Sequence, residues 1–327
     1  MKKSFILAIS LCLCLALPAL CQNDPGSGYE NAIPMPIPEW HPPIGPPVDE
    51  ELVISYDIDT DLETEWLLPV DDALEQDAVA GSAGVGFFWN DPNGLNNYSF
   101  QSPFGTTNFG PLYQVNNPQN YPFRVNCKIF ITFPNGLTYV GSAVLIDDNF
   151  ALTAGHCVHS QGDGGWATKI EVIPAYNNGA KPYGSALATN LYSWTGWTQS
   201  EDFSHDMGLI RLDSAIGNST GWYGYGYTNN LGFYSSYTFY NPGYPAASPY
   251  NGRYMYYWKG TFDIPTTYIL TFFSQAYGGQ SGSGATVIFG GGYYVGAVLS
   301  HGTWFTTGDT RITSTKFGHI TDWIAGG

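Results

Sequence analysis

A series of short apolar runs, separated by Gly, Asn, Ser and Pro, begins after Tyr121 and constrains the fold more than any other feature. Runs at 128–133 and 137–140 flank the turn Pro134–Gly136, which is typical of a β-hairpin. Further strands are predicted at 142–146, 150–154, 169–173, 207–212, 268–273, 285–288 and 293–299. Near the C-terminus a helix is predicted, with four apolar residues on one face: Phe317, Ile320, Trp323 and Ile324. The pattern predicts an all-β barrel or sandwich with a C-terminal helix.

The first 21 residues indicate a secretory signal peptide rather than part of the fold. A basic start precedes the apolar run Phe5–Leu17, which is too short to cross a bilayer. Cleavage is predicted after Ala19 or Cys21, and lipid attachment at Cys21 is a weaker alternative because Leu20 is bulky. We therefore expect a secreted, extracellular protein that has no membrane contact after signal removal.

The net charge of -16 is distributed unevenly along the chain. Residues 22–123 contain 16 Asp and Glu and no Lys or Arg, whereas residues 124–327 contain 11 acidic and 9 basic residues. No region is basic enough to predict nucleic-acid binding. The two regions are therefore expected to differ in structure, and the second is long enough for two small barrels.

The region before the predicted strands is interpreted as an N-terminal extension, residues 22–105. Its first part, 22–50, is rich in proline and should be extended, whereas 51–77 is densely acidic. A propeptide is the favoured interpretation of this extension. The alternative is a solvated acidic arm that stays attached to the folded protein.

Two of the five cysteines, Cys127 and Cys157, remain after the signal peptide. In an exported protein two cysteines are expected to pair, and such a bridge would hold the loop that carries His156. The alternative is a pair of buried free thiols.

Three short stretches carry the residue types of nucleophilic acyl transfer, and they contain His156, Asp206 and Ser281. A serine attacks, a histidine accepts its proton, and a carboxylate orients the histidine. Asp206 is preferred to its neighbours Glu201 and Asp202 because it precedes a buried strand, whereas they lie in a polar loop.

The glycines around the predicted nucleophile indicate an oxyanion hole. Small neighbours allow the backbone to turn sharply, so that the N–H groups of Gly279 and Ser281 can face a developing negative charge. Without the other two stretches, a simple Gly/Ser turn would be the better interpretation.

Residues from about 119 to 327 resemble the secreted bacterial glutamyl endopeptidases, which are chymotrypsin-like serine proteases that share the order His, Asp, Ser. The resemblance implies two antiparallel six-stranded β-barrels, here 106–215 and 216–327 with the C-terminal helix, and a triad in the cleft between them. It also implies an extracellular endopeptidase that is made as a precursor and needs no cofactor or metal. It extends beyond the triad to six stretches: Tyr121–Arg124, Ala154–Gln161, Gly164–Ala167, Gly196–Thr198, Gly221–Tyr225 and Gln280–Ser283.

The chain departs from related enzymes in ways that affect activation. Gln280 stands where digestive relatives carry an aspartate that pairs with the new N-terminus, and Gln280 cannot form that ion pair. The extension contains no Lys or Arg before Arg124 and no Glu between Glu75 and Glu171. A mature start near residue 105, which the resemblance implies, therefore requires another protease or another specificity. A cysteine pair found near the nucleophile of some relatives is also absent.

The resemblance also implies a pocket that prefers Glu, then Asp, before the scissile bond. His301 is the candidate group for the substrate carboxylate, because no Lys or Arg lies between Lys259 and Arg311. Three further residues are predicted to line the substrate site: Ser300, Tyr277 and Ala276. The alternative is a histidine at the rim without a role in selection, and hence another specificity.

Three other functions would use some of the same residues. His159 and His205, with His156, could suggest a metal cluster, but their spacing fits no zinc pattern. The aromatic stretch Tyr254–Trp258 could belong to a carbohydrate-binding or other recognition module, although core packing explains it more simply. A serine esterase would usually carry the triad in another order on an α/β fold. Protein or peptide substrates and a monomeric state are expected.

Overall fold

The computed structural model describes residues 28–44, 52–67 and 112–326. Of residues 78–79 it describes the backbone alone. The predicted signal peptide and much of the predicted extension lie outside these ranges. Within them, no helix is long and apolar enough to cross a membrane.

The strands are short and follow one another through tight turns. In chain order they are β1 (Ile33–Pro34), β2 (Leu52–Asp57), β3 (Leu62–Leu67), β4 (Ala78–Val79), β5 (Tyr113–Gln114), β6 (Asn126–Thr132), β7 (Thr138–Leu145), β8 (Phe150–Thr153), β9 (His159–Ser160), β10 (Gly165–Trp166), β11 (Lys169–Pro174), β12 (Ala186–Trp194), β13 (Gly208–Leu212), β14 (Gly224–Gly226), β15 (Phe239–Gly243), β16 (Tyr256–Gly260), β17 (Ile264–Pro265), β18 (Ile269–Phe272), β19 (Gly284–Phe289), β20 (Gly292–Gly302) and β21 (Thr307–Arg311). The α-helices are α1 (Gly155–Val158), α2 (Thr195–Thr198), α3 (Gly217–Thr220), α4 (Leu231–Ser236) and α5 (Ser314–Gly326).

The first sheet contains a closed six-stranded barrel, as predicted. Its strand order is β11-β6-β7-β8-β13-β12, and β12 pairs back to β11 to complete the circle. The predicted hairpin is confirmed, because β6 and β7 pair in register from Thr132 and Thr138 on either side of the turn. The runs predicted separately at 137–140 and 142–146 form the single strand β7. Alternating Val, Ile and Leu side chains from these strands fill the barrel interior.

The second sheet corresponds to the second predicted barrel and completes the chymotrypsin-like fold, although in the described residues it is a half-barrel. Its strands follow the order β17-β18-β21-β20-β19-β15-β16-β5, and no pairing joins its edge strands in the described ranges. Aromatic rings fill the concave side, and the rings of Trp258 and Phe272 stack 4.0 Å apart. Packing in this core accounts for the buried aromatic rings of the second sheet.

Parts of the predicted extension belong to the first sheet. Strand β1 pairs in parallel with β7, and the hairpin of β2 and β3 adds to the edge at β12. Residues 28–44 otherwise run without regular secondary structure, as the prolines require.

The predicted C-terminal helix is α5, which packs on the first barrel. Phe317, Ile320 and Trp323 are buried in the core of that barrel. The indole N–H of Trp194 donates to Nδ1 of His319 at 2.8 Å and ties the helix to β12. The chain therefore returns to its first barrel after completing the second sheet.

Candidate active site

Strand pairing brings His156 and Asp206 together. Thr153, at the end of β8, is the partner of Gly208, at the start of β13, so the residues just beyond these ends are neighbours. Nδ1 of His156 lies 2.8 Å from Oδ2 of Asp206, and the backbone N–H of His156 donates to Oδ1 of Asp206 at 2.8 Å. The carboxylate thus holds both the ring and the backbone of the histidine.

Asp206 is completely buried, and three donors compensate its charge. Two come from His156, and the third is the hydroxyl of Ser300, which donates to Oδ2 at 2.6 Å. Burial favours the neutral acid, but the charge and hydrogen bond of His156 outweigh burial and lower the pKa of Asp206. Burial likewise opposes the imidazolium, yet the carboxylate raises the pKa of His156.

The loop around Ser281 depends on two glycines in left-handed conformations. Gly279 has a φ of 97° and Gly282 a φ of 83°. A Cβ at Gly282 would collide with the side chain of Thr153 and the carbonyl of Ser142. The loop therefore passes directly against β7 and β8 of the first barrel.

Ser142, which the sequence analysis did not select, anchors this loop to the first barrel. Its backbone N–H donates to the carbonyl of Ser281 at 2.8 Å, and its hydroxyl donates to the carbonyl of Gly279 at 2.8 Å. The hydroxyl also accepts the backbone N–H of Tyr244 at 2.9 Å. Sequence reasoning had no signal for this role, because the partners are 137 residues apart.

Gln280 stabilises the same loop through hydrogen bonds to another residue of that loop. Its Oε1 accepts the N–H of Tyr277 at 2.8 Å, and its own N–H donates to the carbonyl of Tyr277 at 3.0 Å. The side chain is buried. The loop is therefore fixed without an ion pair to a new N-terminus.

The predicted oxyanion donor Gly279 already has an acceptor. Its N–H donates at 2.9 Å to the carbonyl of Met35, which belongs to the N-terminal segment. The hydroxyl of Ser281 lies 3.4 Å from the carbonyl oxygen of Pro36. Nε2 of His156 is buried and has no hydrogen-bond partner among the described residues. The structure thus joins His156 to Asp206 and places the carbonyl of Ser281 against Cys157, the neighbour of His156, but the Ser281–His156 hydrogen bond is not formed.

His301 adjoins the site through Ser300. Its Nδ1 lies 3.0 Å from Oγ of Ser300, and its ring lies 4.5 Å from that of Phe203. Burial lowers the pKa of His301 to about 4. The ring lines a cavity of about 330 Å³ with Trp40, Thr266, Ile269, Thr271, Gly302, Thr303, Thr306 and Gly308.

The other predicted pocket residues differ in placement. Ser300 bonds to Asp206, so its hydroxyl serves the buried carboxylate. Tyr277 and Ala276 are partly exposed beside the serine loop, and the ring of Tyr277 packs 4.8 Å from that of Tyr250. These residues do not line the cavity next to His301.

The rival acidic and histidine residues lie outside this arrangement. Nδ1 of His205 lies 3.4 Å from Oδ2 of Asp202, so these two residues form a separate pair. Burial lowers the pKa of His159 to about 4. In the described part of the chain, no group of three or more His, Cys, Asp or Glu residues is placed to hold a metal ion.

The predicted disulfide is not formed in this structure, where Cys127 and Cys157 are both buried free cysteines. The thiol of Cys127 donates to the carbonyl of Val125 at 3.4 Å, and that of Cys157 to the carbonyl of Ser281 at 3.7 Å. Each sulfur thus has its own backbone partner, and burial raises the pKa of the Cys127 thiol. Packing, rather than a bridge, holds the histidine loop.

Comparisons with known proteins agree with this fold. An extracellular metalloprotease of Bacillus subtilis (strain 168) is 35% identical over 218 residues, which cover 64% of this chain and 66% of that protein, just under two thirds. The glutamyl endopeptidase of Bacillus licheniformis is 29% identical over 243 residues, covering 69% of this chain and 70% of that protein. The structure of a Glu endopeptidase in complex with MPD matches with a TM-score of 0.57 and 22% identity over 67% of this chain and all of the other.

The family model described as Trypsin matches residues 114–324, well over half of the chain. This range contains the closed barrel, the half-barrel and all three predicted triad residues. The chain therefore belongs to the trypsin family and carries a serine protease domain.

Proposed function

We propose that this protein is a secreted serine endopeptidase in which Ser281 is the nucleophile, His156 the general base and Asp206 the orienting carboxylate. The observation that carries the proposal is the pair of 2.8 Å contacts that Asp206 makes with Nδ1 and the backbone N–H of His156. They direct Nε2 of the same ring away from the carboxylate, as a base toward Ser281 requires.

In the proposed reaction, Oγ of Ser281 attacks the carbonyl carbon of a peptide bond while Nε2 of His156 accepts its proton. The oxyanion that forms is stabilised by the N–H groups of Gly279 and Ser281. The imidazolium then protonates the leaving amine, and water releases the acyl group by the reverse sequence of proton transfers. Asp206 stays ionised throughout and stabilises the imidazolium.

An active-serine organophosphonate tests the nucleophile. We expect one label on the peptide that contains Ser281 and loss of hydrolysis in the Ser281→Ala variant, with an unchanged circular dichroism spectrum. Labelling at another serine, or full activity of the variant, would contradict the assignment. A relative is named a metalloprotease, so activity is also measured after treatment with a chelator. Loss with the chelator but not with the phosphonate would favour metal-dependent chemistry.

We further propose a preference for Glu, then Asp, before the scissile bond, with His301 as the carboxylate-binding group. The name of the Bacillus licheniformis relative supports the substrate class. Because Ser300 directs its proton to Asp206, the contact with Nδ1 of His301 requires an N–H on that nitrogen. In the neutral ring Nε2 is then an acceptor, so binding of a carboxylate requires a proton on Nε2.

Peptides that vary only at the residue before the scissile bond test this preference. We expect Glu to exceed Asp, with little cleavage after Lys or aromatic residues. The KM for the Glu peptide should rise with pH as His301 loses its proton, and His301→Gln should weaken this dependence. A flat profile, or one that favours aromatic residues, would reject the role of His301.

Secretion is part of the proposal. The basic start and apolar run of the first 21 residues support it. So does the name of the Bacillus subtilis relative, an extracellular enzyme. N-terminal sequencing of protein recovered from culture medium tests whether the chain is cut after Ala19 or Cys21. Protein that stays inside the cells with Met1 intact would contradict it. Size-exclusion chromatography with light scattering tests the proposed monomeric state.

A further inference from the structure

Residues 32–44, here called the strap, cross the proposed catalytic cleft and bond to both of its sides. The N–H of Met35 donates to the carbonyl of Val140 on β7 at 2.8 Å. On the other side, the N–H of Gly302 at the end of β20 donates to the carbonyl of Pro38 at 2.9 Å. The far end is held where the N–H of Ile44 donates to the carbonyl of Ser200 at 2.8 Å.

Met35 is the central contact of the strap. Its side chain is only 3% exposed and belongs to the core of the first barrel. This burial fixes its carbonyl at 2.9 Å from the N–H of Gly279. The donor proposed for the oxyanion is thus occupied by the chain's own backbone.

The strap also engages the proposed nucleophile. The hydroxyl of Ser281 donates to the carbonyl oxygen of Pro36 at 3.4 Å, while Nε2 of His156 has no partner in the described ranges. A serine hydroxyl that donates to the strap is not passing its proton to the base. The hydroxyl of Ser281 is therefore engaged with the strap and not with the base.

Proline explains why the strap can lie against Ser281 without being a good substrate. The carbonyl next to Gly279 belongs to Met35, and the bond that follows it leads to Pro36. The nitrogen of Pro36 carries no hydrogen and its ring fixes φ, so the bond after Met35 lacks the N–H and the conformational freedom of an ordinary scissile peptide bond. Prolines at 34, 36 and 38 also restrict the free segment to extended conformations, which lowers the entropy cost of binding.

The C-terminal half of the strap covers the candidate substrate pocket. Trp40 lines the cavity that His301 and Gly302 also line. The ring of His41 lies 4.9 Å from that of Phe203, which in turn contacts His301. An extended peptide could not reach this cavity and Gly302 while the strap is in place.

We propose that the catalytic cleft is a binding site for a proline-alternating peptide, and that the strap fills it as an intramolecular inhibitor. The inference rests on the proposed function. Because Gln280 already fixes the serine loop from within, latency arises from occupancy of the cleft, and displacement of the strap suffices for activation. In this proposal the Pro-rich part of the extension acts as an inhibitory pro-segment.

The rate of organophosphonate labelling at Ser281 tests the proposal in the full chain. We expect the full chain to react at least about tenfold more slowly than the naturally processed enzyme, because an intramolecular segment acts at a high effective concentration. Met35→Lys places a charge at a buried site and should bring the rate close to that of the processed form. Glu39→Ala, a change at an exposed strap position, is the matched control and should leave the rate unchanged.

A synthetic peptide of residues 32–44 provides a second measurement that does not depend on folding of a variant. It should inhibit the processed enzyme competitively and remain intact by mass spectrometry. Equal labelling of full chain and processed enzyme, no inhibition, or cleavage of the peptide would each overturn the proposal. If the processed enzyme neither hydrolyses peptides nor takes the label, the proposed function fails instead.

Discussion

The hydroxyl of Ser300 donates a 2.6 Å hydrogen bond to Oδ2 of Asp206, the same oxygen that lies 2.8 Å from Nδ1 of His156. Ser300 is at the end of β20 in the second sheet, whereas Asp206 precedes β13 in the first. The half-barrel thus contributes directly to the position of the buried carboxylate. Ser300 was predicted to bind substrate, and its contact with Asp206 suggests a positioning role.

Ser300→Ala should lower kcat more than it changes KM. A hydrogen bond to a charged group contributes about 1.5–3 kcal/mol, which corresponds to roughly a ten- to hundredfold loss in kcat. Ser300→Thr keeps the hydroxyl and should restore most of the activity. Steady-state kinetics on a peptide substrate distinguishes the roles, since a change confined to KM would indicate substrate binding.

Ser142→Ala should impair both stability and catalysis. It leaves the carbonyl of Gly279 and the N–H of Tyr244 without the hydroxyl that serves both, at a cost of about 1–3 kcal/mol in the free energy of unfolding. The loss of this anchor should also reduce kcat, by up to roughly a hundredfold, because removal of an oxyanion donor costs at least about that much.

Thr220→Val is the matched control for that experiment, because it removes a buried hydroxyl that bonds to the carbonyl of Gly221, away from the site. Denaturant unfolding should show destabilisation of both variants, but only Ser142→Ala should lose kcat. Equal kcat in the two variants would show that Ser142 is merely structural.

The interaction of His156 with Asp206 predicts a window of pH in which it stabilises the fold. The raised pKa of His156 contributes stability below its unfolded value of about 6.5, and this is lost as pH rises through the folded pKa. The lowered pKa of Asp206 contributes above about 4 and is lost as pH falls through the folded pKa. The pair should therefore stabilise most strongly between about pH 4 and 6.5.

Thermal unfolding in a Ser281→Ala background, which avoids self-digestion, measures this window. The difference in Tm between that protein and its Asp206→Asn derivative should be largest near pH 5 and smaller at both extremes. A difference that does not vary with pH would mean that the pair contributes no charge interaction.

The free state of Cys127 and Cys157 predicts that the processed enzyme contains two titratable thiols. A thiol reagent should find both only after denaturation, because both side chains are buried. A reductant should leave Tm unchanged. A mass lower by two hydrogens than that of the dithiol form, or a lower Tm in the presence of reductant, would show that the predicted bridge forms.

Several features were accessible from the sequence because they depend on neighbouring residues. The turn Pro134–Gly136 predicts the β6–β7 hairpin, and the spacing of Phe317 to Ile324 predicts α5, since local propensity and periodicity govern both. The three residues proposed as a triad could be selected from the sequence because their small or apolar contexts are also local.

Tertiary structure decided the rest, because contacts between distant residues leave no local pattern. The anchoring of Gly279 by Ser142 joins residues 137 apart, and the contact of Ser281 with Pro36 joins residues 245 apart. The number of cysteines alone suggested a disulfide. It could not show that the thiol of Cys127 contacts the carbonyl of Val125 and that of Cys157 the carbonyl of Ser281. The sequence by itself determined the β-rich fold and the residue types available for catalysis. Only the tertiary structure decided how the barrel and the half-barrel position those residues, and that the strap lies across the cleft.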